Sequence, residues 1–554
     1  MQWNELARPG GDAVDYQKVV FDYERRADQD ATAPARRPVA IVGAGPVGLA
    51  LAIDLAQRNV PVVVLDNDST LSTGSRAICF AKRTLEIFDR LGCGDRVARK
   101  GVSWKVGKVF FRDQLVYSFD LLPEAGHARP AFVNLQQYYV EGYLAERAAA
   151  LPLVDLRWKN AVSGAEPHDA HVLLTIDTPD GPYRLAVDYV AACDGARSTV
   201  RRLLGLESRG RTFKDRFLIA DVRMKHEAPA ERWFWFDPEF HRNQSVLLHR
   251  QPDGVWRIDF QLGWDADPDE EKKPEKILPR VKALLAHSAM KDVDFELEWA
   301  SVYTFSCLRM DSFRHGRVLF AGDAAHGVSP FGARGANSGV QDADNLAWKL
   351  AAVLGGHAPD ALLDTYARER EFAADENIRH STRATDFITP KSSISRVFRD
   401  AVLELAKSHP FARTLVNSGR LSTPATLHGS SLNTPDVDAF GGTMVPGAPA
   451  ADAPVTLPDG TPSWLLSQLG AGFTVLVAGA VPAALKDVDG HGLDVRFLGV
   501  GTDIGDPSGV LAQRYDLRPG TTVLLRPDQH VCARWREPDA ARVNSAICRA
   551  LALH

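Results

Sequence analysis

A glycine-rich turn between two short apolar runs constrains this chain more than any other feature. Val39-Ala-Ile-Val42 leads into Gly43-Ala-Gly45-Pro-Val-Gly48, a helical stretch follows from Pro46 to Arg58, and a second apolar run occupies Val62-Val-Val-Leu65. Strand, turn, helix and strand in this order make a βαβ unit, and such units build parallel sheets that collect ligands beyond the carboxyl ends of their strands. Each glycine has a steric task. Gly43 permits the tight turn, Gly45 lets a pyrophosphate approach the backbone, and Gly48 lets helix and strand pack closely, while the helix N-terminus faces the phosphate charge. Asp66, closing the second run, is placed to accept hydrogen bonds from an adenosine ribose.

Two further segments end an apolar strand on an acid and a glycine. Cys193-Asp194-Gly195-Ala-Arg-Ser198 follows the strand Tyr189 to Ala192, and Gly322-Asp323-Ala-Ala-His326 follows Val318-Leu-Phe-Ala321. After the latter come Ser329-Pro330-Phe-Gly-Ala-Arg-Gly-Ala-Asn337 and a helix from Ser338 to Leu354, with Val340, Ala343, Leu346, Ala347 and Leu350 along one stripe. In an open parallel sheet the three acids can converge on one ligand. Taken singly, Asp194 and Asp323 read equally well as turn residues or helix caps.

The remaining chain divides by texture. Residues 1–37 are polar and read as an N-terminal arm. Between about 211 and 309, Arg232-Trp-Phe-Trp-Phe236, Ser245-Val-Leu-Leu-His249 and Val255-Trp-Arg-Ile-Asp-Phe-Gln-Leu262 read as an antiparallel sheet inserted into a domain spanning 38–395. A Ser/Thr/Pro/Gly-rich connector covers 396–452, and a small domain covers 453–554. Its expected strands are Phe473 to Val477, Val495 to Leu498, and a hairpin of Thr522 to Leu525 and His530 to Ala533 closed by Arg526-Pro-Asp-Gln529. A terminal helix follows, with Pro538 suited to its first turn.

A net charge of -5 disfavours nucleic acid, because a phosphate binder needs a basic face. The six cysteines form no Cys-x-x-Cys pair and no cluster with metal-ligand spacing, so no metal is expected and reduced thiols in the cytoplasm are the simplest reading. The chain has no apolar run of about 18 residues, and residues 1 to 30 are too acidic for a secretory signal. No membrane partner is expected.

Together the three motifs, from about residue 38 to about 390, resemble the class A flavoprotein monooxygenases of the para-hydroxybenzoate and phenol hydroxylase type. The resemblance implies an α/β fold: a Rossmann-like FAD-binding domain, an antiparallel-sheet substrate domain, and a C-terminal thioredoxin-like domain similar to that of phenol hydroxylase and 3-(3-hydroxyphenyl)propionate hydroxylase-like enzymes. Lacking a Cys pair, that last domain is expected to be structural or to serve a subunit interface, here of a homodimer. Gly43, Gly45, Gly48 and Asp66 match the family's dinucleotide motif, Asp194 and Gly195 its Asp-Gly motif, and Gly322 and Asp323 the motif whose acid holds the ribityl chain. Arg76 and Gln137 match further FAD-holding positions, with a surface charge and a helix cap as their plainer readings. Pro330, Gly335, Ala336 and Asn337 are expected beside the isoalloxazine ring, where the following helix offers N–H groups to the flavin N1–C2=O edge.

The implied reaction is hydroxylation of a phenolic ring: NADPH or NADH, a transient reductant, reduces FAD, and O2 adds to give a C4a-hydroperoxide that transfers oxygen to the ring. A nitrophenol or nitrocatechol releasing nitrite, and flavin oxidoreduction without oxygen insertion, stand as alternatives. Many relatives carry Gly-Gln-Gly-Met-Asn where this chain has Ala333-Arg334-Gly335-Ala336-Asn337, so Arg334 either favours an anionic substrate or reduced flavin, or pairs with a surface acid. His249 is a candidate for phenol deprotonation, since imidazole titrates near neutral pH, or else a structural residue. Trp235 and Trp256 are the candidate substrate aromatics.

Overall fold

Unbroken apolar runs form strands only where both faces are covered, and residues 39–42 and 62–65 are buried along their whole length. In the computed structural model, which describes residues 16–72, 74, 77–227, 229–288, 290–416, 421 and 423–553, Ala35–Val42 and Val62–Leu65 are adjacent parallel strands joined by helix α1 (Pro46–Gln57). The main path of this eight-stranded sheet runs Arg314–His315, Val318–Phe320, Tyr183–Ala192, Ala35–Val42, Val62–Leu65, Val154–Arg157, parallel except at its first pair, and an antiparallel branch of Val172–Asp177 and Ala161–Pro167 leaves from Tyr183–Ala192. Val42, Leu65, Ala192 and Phe320 therefore end side by side. The residues expected to form a polar arm are packed from Tyr16 onward: Tyr16, Val19 and Phe21 join the core, and Phe21 stacks on Trp158 at 4.0 Å.

A second, eight-stranded sheet runs His326–Gly327, Phe295–Met310, Ser208–Met224, Val255–Leu262, Ser245–Arg250, Glu231–Phe236, Val106–Phe111, Gln114–Asp120. It is wider than expected at 211–309 and not wholly antiparallel, because Glu231–Phe236 pairs in parallel with Val106–Phe111. Strand alternation splits its side chains cleanly. One face, with Trp235, Val246, Leu248, Trp256, Ile258 and Phe260, packs beneath helix α2 (Pro274–Ala286) through Ile277, Val281, Leu284 and Leu285. The other presents Phe217, Phe236, Leu247 and Phe305 towards Phe331, which lies on the loop leading into helix α3 (Gly335–Leu354).

The segment read as a connector is helical in its first half, where Ser393–Ala406 and Pro410–Val416 pack on the second sheet through Leu403, Ala406 and Ala412. Its second half belongs to the C-terminal unit: Leu432 and Met444 are buried there, and the Gly447 amide donates to Val531. That unit holds a four-stranded sheet, ordered Val495–Val500, Phe473–Ala478, Thr522–Leu525, Val531–Trp535, with the first pair parallel. Its last helix, Ala540–Ala550, is capped by the Asp539 carboxylate, so Pro538 precedes the cap instead of filling the first turn. The turn after Leu525 reaches the first unit. Arg526 pairs with Glu369 of helix α4 (Leu362–Ile388) at 2.6 Å and with Asp528 at 2.7 Å, while Lys349 of α3 pairs with Glu369 at 2.7 Å, all with side chains at most 2% exposed.

Candidate functional site

The three sequence motifs meet around the N-terminus of α1. Gly43 has φ +104°, and a Cβ there would lie 2.6 Å from the Cys193 carbonyl oxygen, so the first motif rests directly on the second. A Cβ on Gly48 would lie 2.0 Å from the Gly43 carbonyl oxygen, which fixes helix against turn. Val47 receives the third motif: Cβ atoms on Gly322 and Gly339 would approach its Cγ2 to 2.9 and 2.6 Å. Gly45 differs, since a Cβ there would meet nothing within 4 Å. The helix it caps begins with Pro46 and has no side-chain cap, so no capping side chain occupies the N–H groups of its first turn.

The acids sit around this opening. Asp66 accepts from the Ala44 amide at 2.6 Å and the Asp68 amide at 2.8 Å, and burial raises its carboxyl above the usual value despite both bonds. Asp194 accepts from the Val200 amide at 3.0 Å through Oδ2, while its Oδ1 is buried without a donor among the described residues. Gly195 has φ +76° and open space beside it. Asp323 is exposed, with Oδ1 4.0 Å from where a Cβ on Gly335 would stand. An uncapped helix end, an open glycine and a buried acceptor lacking a donor suit a dinucleotide carrying a diphosphate and hydroxyl groups, so these residues fit FAD.

Asp342, two turns into α3, holds the third motif in place. Its Oδ2 accepts from the Gly322 amide at 2.9 Å and from His326 Nε2 at 2.7 Å, and its Oδ1 from Arg370 Nε at 2.6 Å. Burial raises its pKa, but the neighbouring His326 and Arg370 prevail and hold it below the usual carboxylate range. Gln137 braces the loop ahead of the site, accepting from the Ala77 amide at 3.0 Å and donating to Glu141 at 2.8 Å. Arg76 lies outside the described residues.

The loop before α3 is tightly bent. Pro330 is exposed, Gly332 has φ +119°, and Ala333 takes a left-handed φ of +52°, which a non-glycine residue rarely adopts. Arg334 is 5% exposed and donates to Asn377 at 3.1 Å, so it is buried and no surface charge. Gly335 opens the helix and Ala336 packs against the core. Asn337 spends its amide on the protein: it accepts from the Ala81 amide at 2.8 Å and donates to the carbonyls of Cys79 at 2.8 Å and Ala333 at 2.6 Å. Its side chain thus ties the loop to the strand Cys79–Ala81.

Two substrate expectations need correction. Trp235 and Trp256 lie on the α2 face of the second sheet, away from the Phe331 loop, because alternation along Glu231–Phe236 and Val255–Leu262 sends those positions outward. His249 does lie on the inner face, with Nδ1 4.0 Å from Cys79 Sγ and Nε2 3.4 Å from Asp259 Oδ2. Burial, reinforced by Arg232, pushes its pKa down to about 4, so it is neutral near pH 7 and a poor proton acceptor. The sequence reading missed Arg232, Asp221 and Arg257, which share that inner face. Arg257 pairs with Asp221 at 2.7 Å. Their signal is the strand period itself: Arg232, Phe234 and Phe236 alternate with Trp233 and Trp235, so one whole set must face inward. Among the described residues no group of three or more His, Cys, Asp or Glu can hold a metal ion, and no helix is long and apolar enough to cross a membrane.

Residues 36–381 match the family model described as FAD binding domain. A 3-(3-hydroxy-phenyl)propionate/3-hydroxycinnamic acid hydroxylase of Mycobacterium sp. (strain JLS) is 29% identical, over 92% of this chain and 91% of that protein. A probable NADH-specific resorcinol 4-hydroxylase of Rhodococcus jostii (strain RHA1) is 29% identical over 89% of this chain and 91% of that protein. The crystal structure of the flavin-dependent monooxygenase PieE, in complex with FAD and substrate, shares the fold with a TM-score of 0.79 at 24% identity, covering 94% of this chain and all of that one.

Proposed function

The chain belongs to the FAD-binding class A aromatic monooxygenases, and from that premise we propose that it hydroxylates a phenol held between the inner face of the second sheet and the loop before α3. It is an FAD-dependent aromatic-ring hydroxylase supplied with electrons by a nicotinamide. FAD, held by these residues and reduced, would supply the activation of O2 by which one oxygen atom goes to the ring and the other to water. The chain's own residues bind, orient and exclude water. In this reading the N–H groups at Gly45 and the start of α1 hold the diphosphate, Asp66 the adenosine ribose, Asp194 and Asp323 the remaining hydroxyls, and Gly335 with the start of α3 the ring's carbonyl edge. Arg76 and Gln137 are assigned to the same cofactor, and Arg334 acts by fixing the loop's bend. The observation that carries the reading is the meeting of four strand ends and three glycine motifs at one helix N-terminus.

The names of the relatives suggest two kinds of phenol, one with a side-chain carboxylate and one without. Purified holoenzyme should consume NADH faster with 3-(3-hydroxyphenyl)propionate or resorcinol present, and a product formed under 18O2 should carry the label. Label drawn from water, or conversion without O2, would refute the reading. The C-terminal unit is assigned a thioredoxin-like, non-redox role, and the protein a cytoplasmic homodimeric state. Ile394, Val397, Phe398 and Phe411, each at least 58% exposed on two successive helices, support a dimer contact there.

A further inference from the structure

We propose that Arg232 is the receptor for a negatively charged oxygen of the aromatic substrate. This rests on the hydroxylase reading above and adds the charge of the group that is recognised. Arg232 is 4% exposed, on the inner face of the second sheet, yet its Nε and Nη1 have no hydrogen-bond partner among the described residues. No carboxylate pairs with it among the described residues. Its close neighbours give it no direct ion pair: Phe234 lies under the guanidinium at 4.8 Å, Arg257 on the next strand is engaged by Asp221, and His249, its cross-strand partner, lies 3.4 Å from Asp259, a carboxylate whose charge reaches Arg232 without a hydrogen bond to it. Burial accordingly lowers its pKa, the reverse of what a paired guanidinium shows.

A buried cation with no direct ion-pair partner is costly, and a fold that keeps one gains when an anion arrives. The surroundings say where the anion comes from. His249, opposite Arg232, is 4.0 Å from Cys79, whose carbonyl is bonded by Asn337 at the start of α3. Arg232 therefore lies one cross-strand neighbour away from the strand that Asn337 ties to the loop assigned to the flavin ring, on the sheet face assigned to the substrate. A planar guanidinium with free N–H groups takes a carboxylate or an ionised phenol by charge-assisted hydrogen bonds. Both sources carry the same recognised group, an anionic oxygen attached to the ring or its side chain.

The test uses holoenzyme and two probes, 3-(3-hydroxyphenyl)propionate and resorcinol, with binding read from the flavin absorbance change and turnover from NADH oxidation. In Arg232→Met, affinity for the propionate should fall at least tenfold while resorcinol changes less than twofold, if the anion is the carboxylate. If it is the phenolate, both affinities should fall together and the NADH oxidation they stimulate should fall with them. Thermal stability of the substrate-free Met variant should not drop, since a purely structural arginine would lose packing but an unpaired one removes a penalty. Should Arg232→Met fail to retain FAD, Arg232→Lys keeps the charge and loses the fork, and should weaken the affected probe by about threefold or more. Unchanged affinity for both probes in a flavin-loaded variant overturns the proposal. Wild-type enzyme that responds to neither probe would instead count against the hydroxylase reading, so the two failures are distinct.

Discussion

Gly43 and Gly195 both take positive φ at the ends of neighbouring strands, but only one of them has a neighbour in the way. At Gly43 a methyl group would meet backbone at 2.6 Å, and at Gly195 it would meet nothing within 4 Å. Gly43→Ala should therefore separate the first two motifs and abolish flavin retention, whereas Gly195→Ala should cost only the left-handed backbone term of roughly 1–2 kcal/mol. The flavin-to-protein ratio after gel filtration measures both, and equal ratios would break the argument. Asn337→Ala removes the amide that satisfies Ala81 and Cys79, and should lower FAD affinity at least tenfold, about 1.4 kcal/mol, by releasing the loop without touching the ligand's charge. Glycines and acids at strand ends were legible in the sequence because their chemistry is local. Arg232 was not, since its lack of a direct partner depends on what the neighbouring strands of the sheet do or do not bring to it.

The same distinction holds for elements. The βαβ unit and the helix α3 follow from continuous runs and one apolar stripe, patterns that a linear reading detects directly. The width of the second sheet does not, because Val106–Phe111 and Gln114–Asp120 join it from far upstream through a parallel pairing that no local signal announces. Nor does the direction of Trp235 and Trp256, for alternation gives two faces without saying which is inner. Since both indoles fill the layer beneath α2, Trp256→Ala should destabilise the sheet by about 3–5 kcal/mol. The fraction still folded should keep the wild-type ratio of product to NADH consumed. A rise in uncoupled peroxide at full stability would return Trp256 to the substrate pocket.

At the scale of the molecule, the composition of the connector suggested two bodies joined by a tether, but the bodies share buried charge. Arg526 from the C-terminal hairpin satisfies Glu369, which also holds Lys349 on the helix that begins at the flavin loop. Arg526→Ala should cost about 3–5 kcal/mol, because it removes the guanidinium that two buried carboxylates share and leaves Glu369 to Lys349 alone among its cationic partners. Burial raises the pKa of Glu369, but Arg526 and Lys349 outweigh it and hold the group below its ordinary 4.5. A depressed carboxylate adds stability that is complete above the unfolded value and is lost as pH falls further, so wild-type enzyme should lose stability between about pH 5 and pH 3 more steeply than Glu369→Gln. Denaturant titrations at several pH values would show the difference, and parallel slopes would remove Glu369 from the account.

The Arg526 contact also sets an order of events during synthesis. Lys349 and Glu369 leave the ribosome more than a hundred residues before Arg526 does, and until then they must stay solvated or share an incomplete pocket. The helix that supports the flavin loop is thus finished late, by a hairpin near the far end of the chain. Nascent chains halted before Arg526 should consequently capture free flavin poorly, and prematurely terminated messages would yield polypeptide without a competent cofactor site although every glycine motif had already been translated.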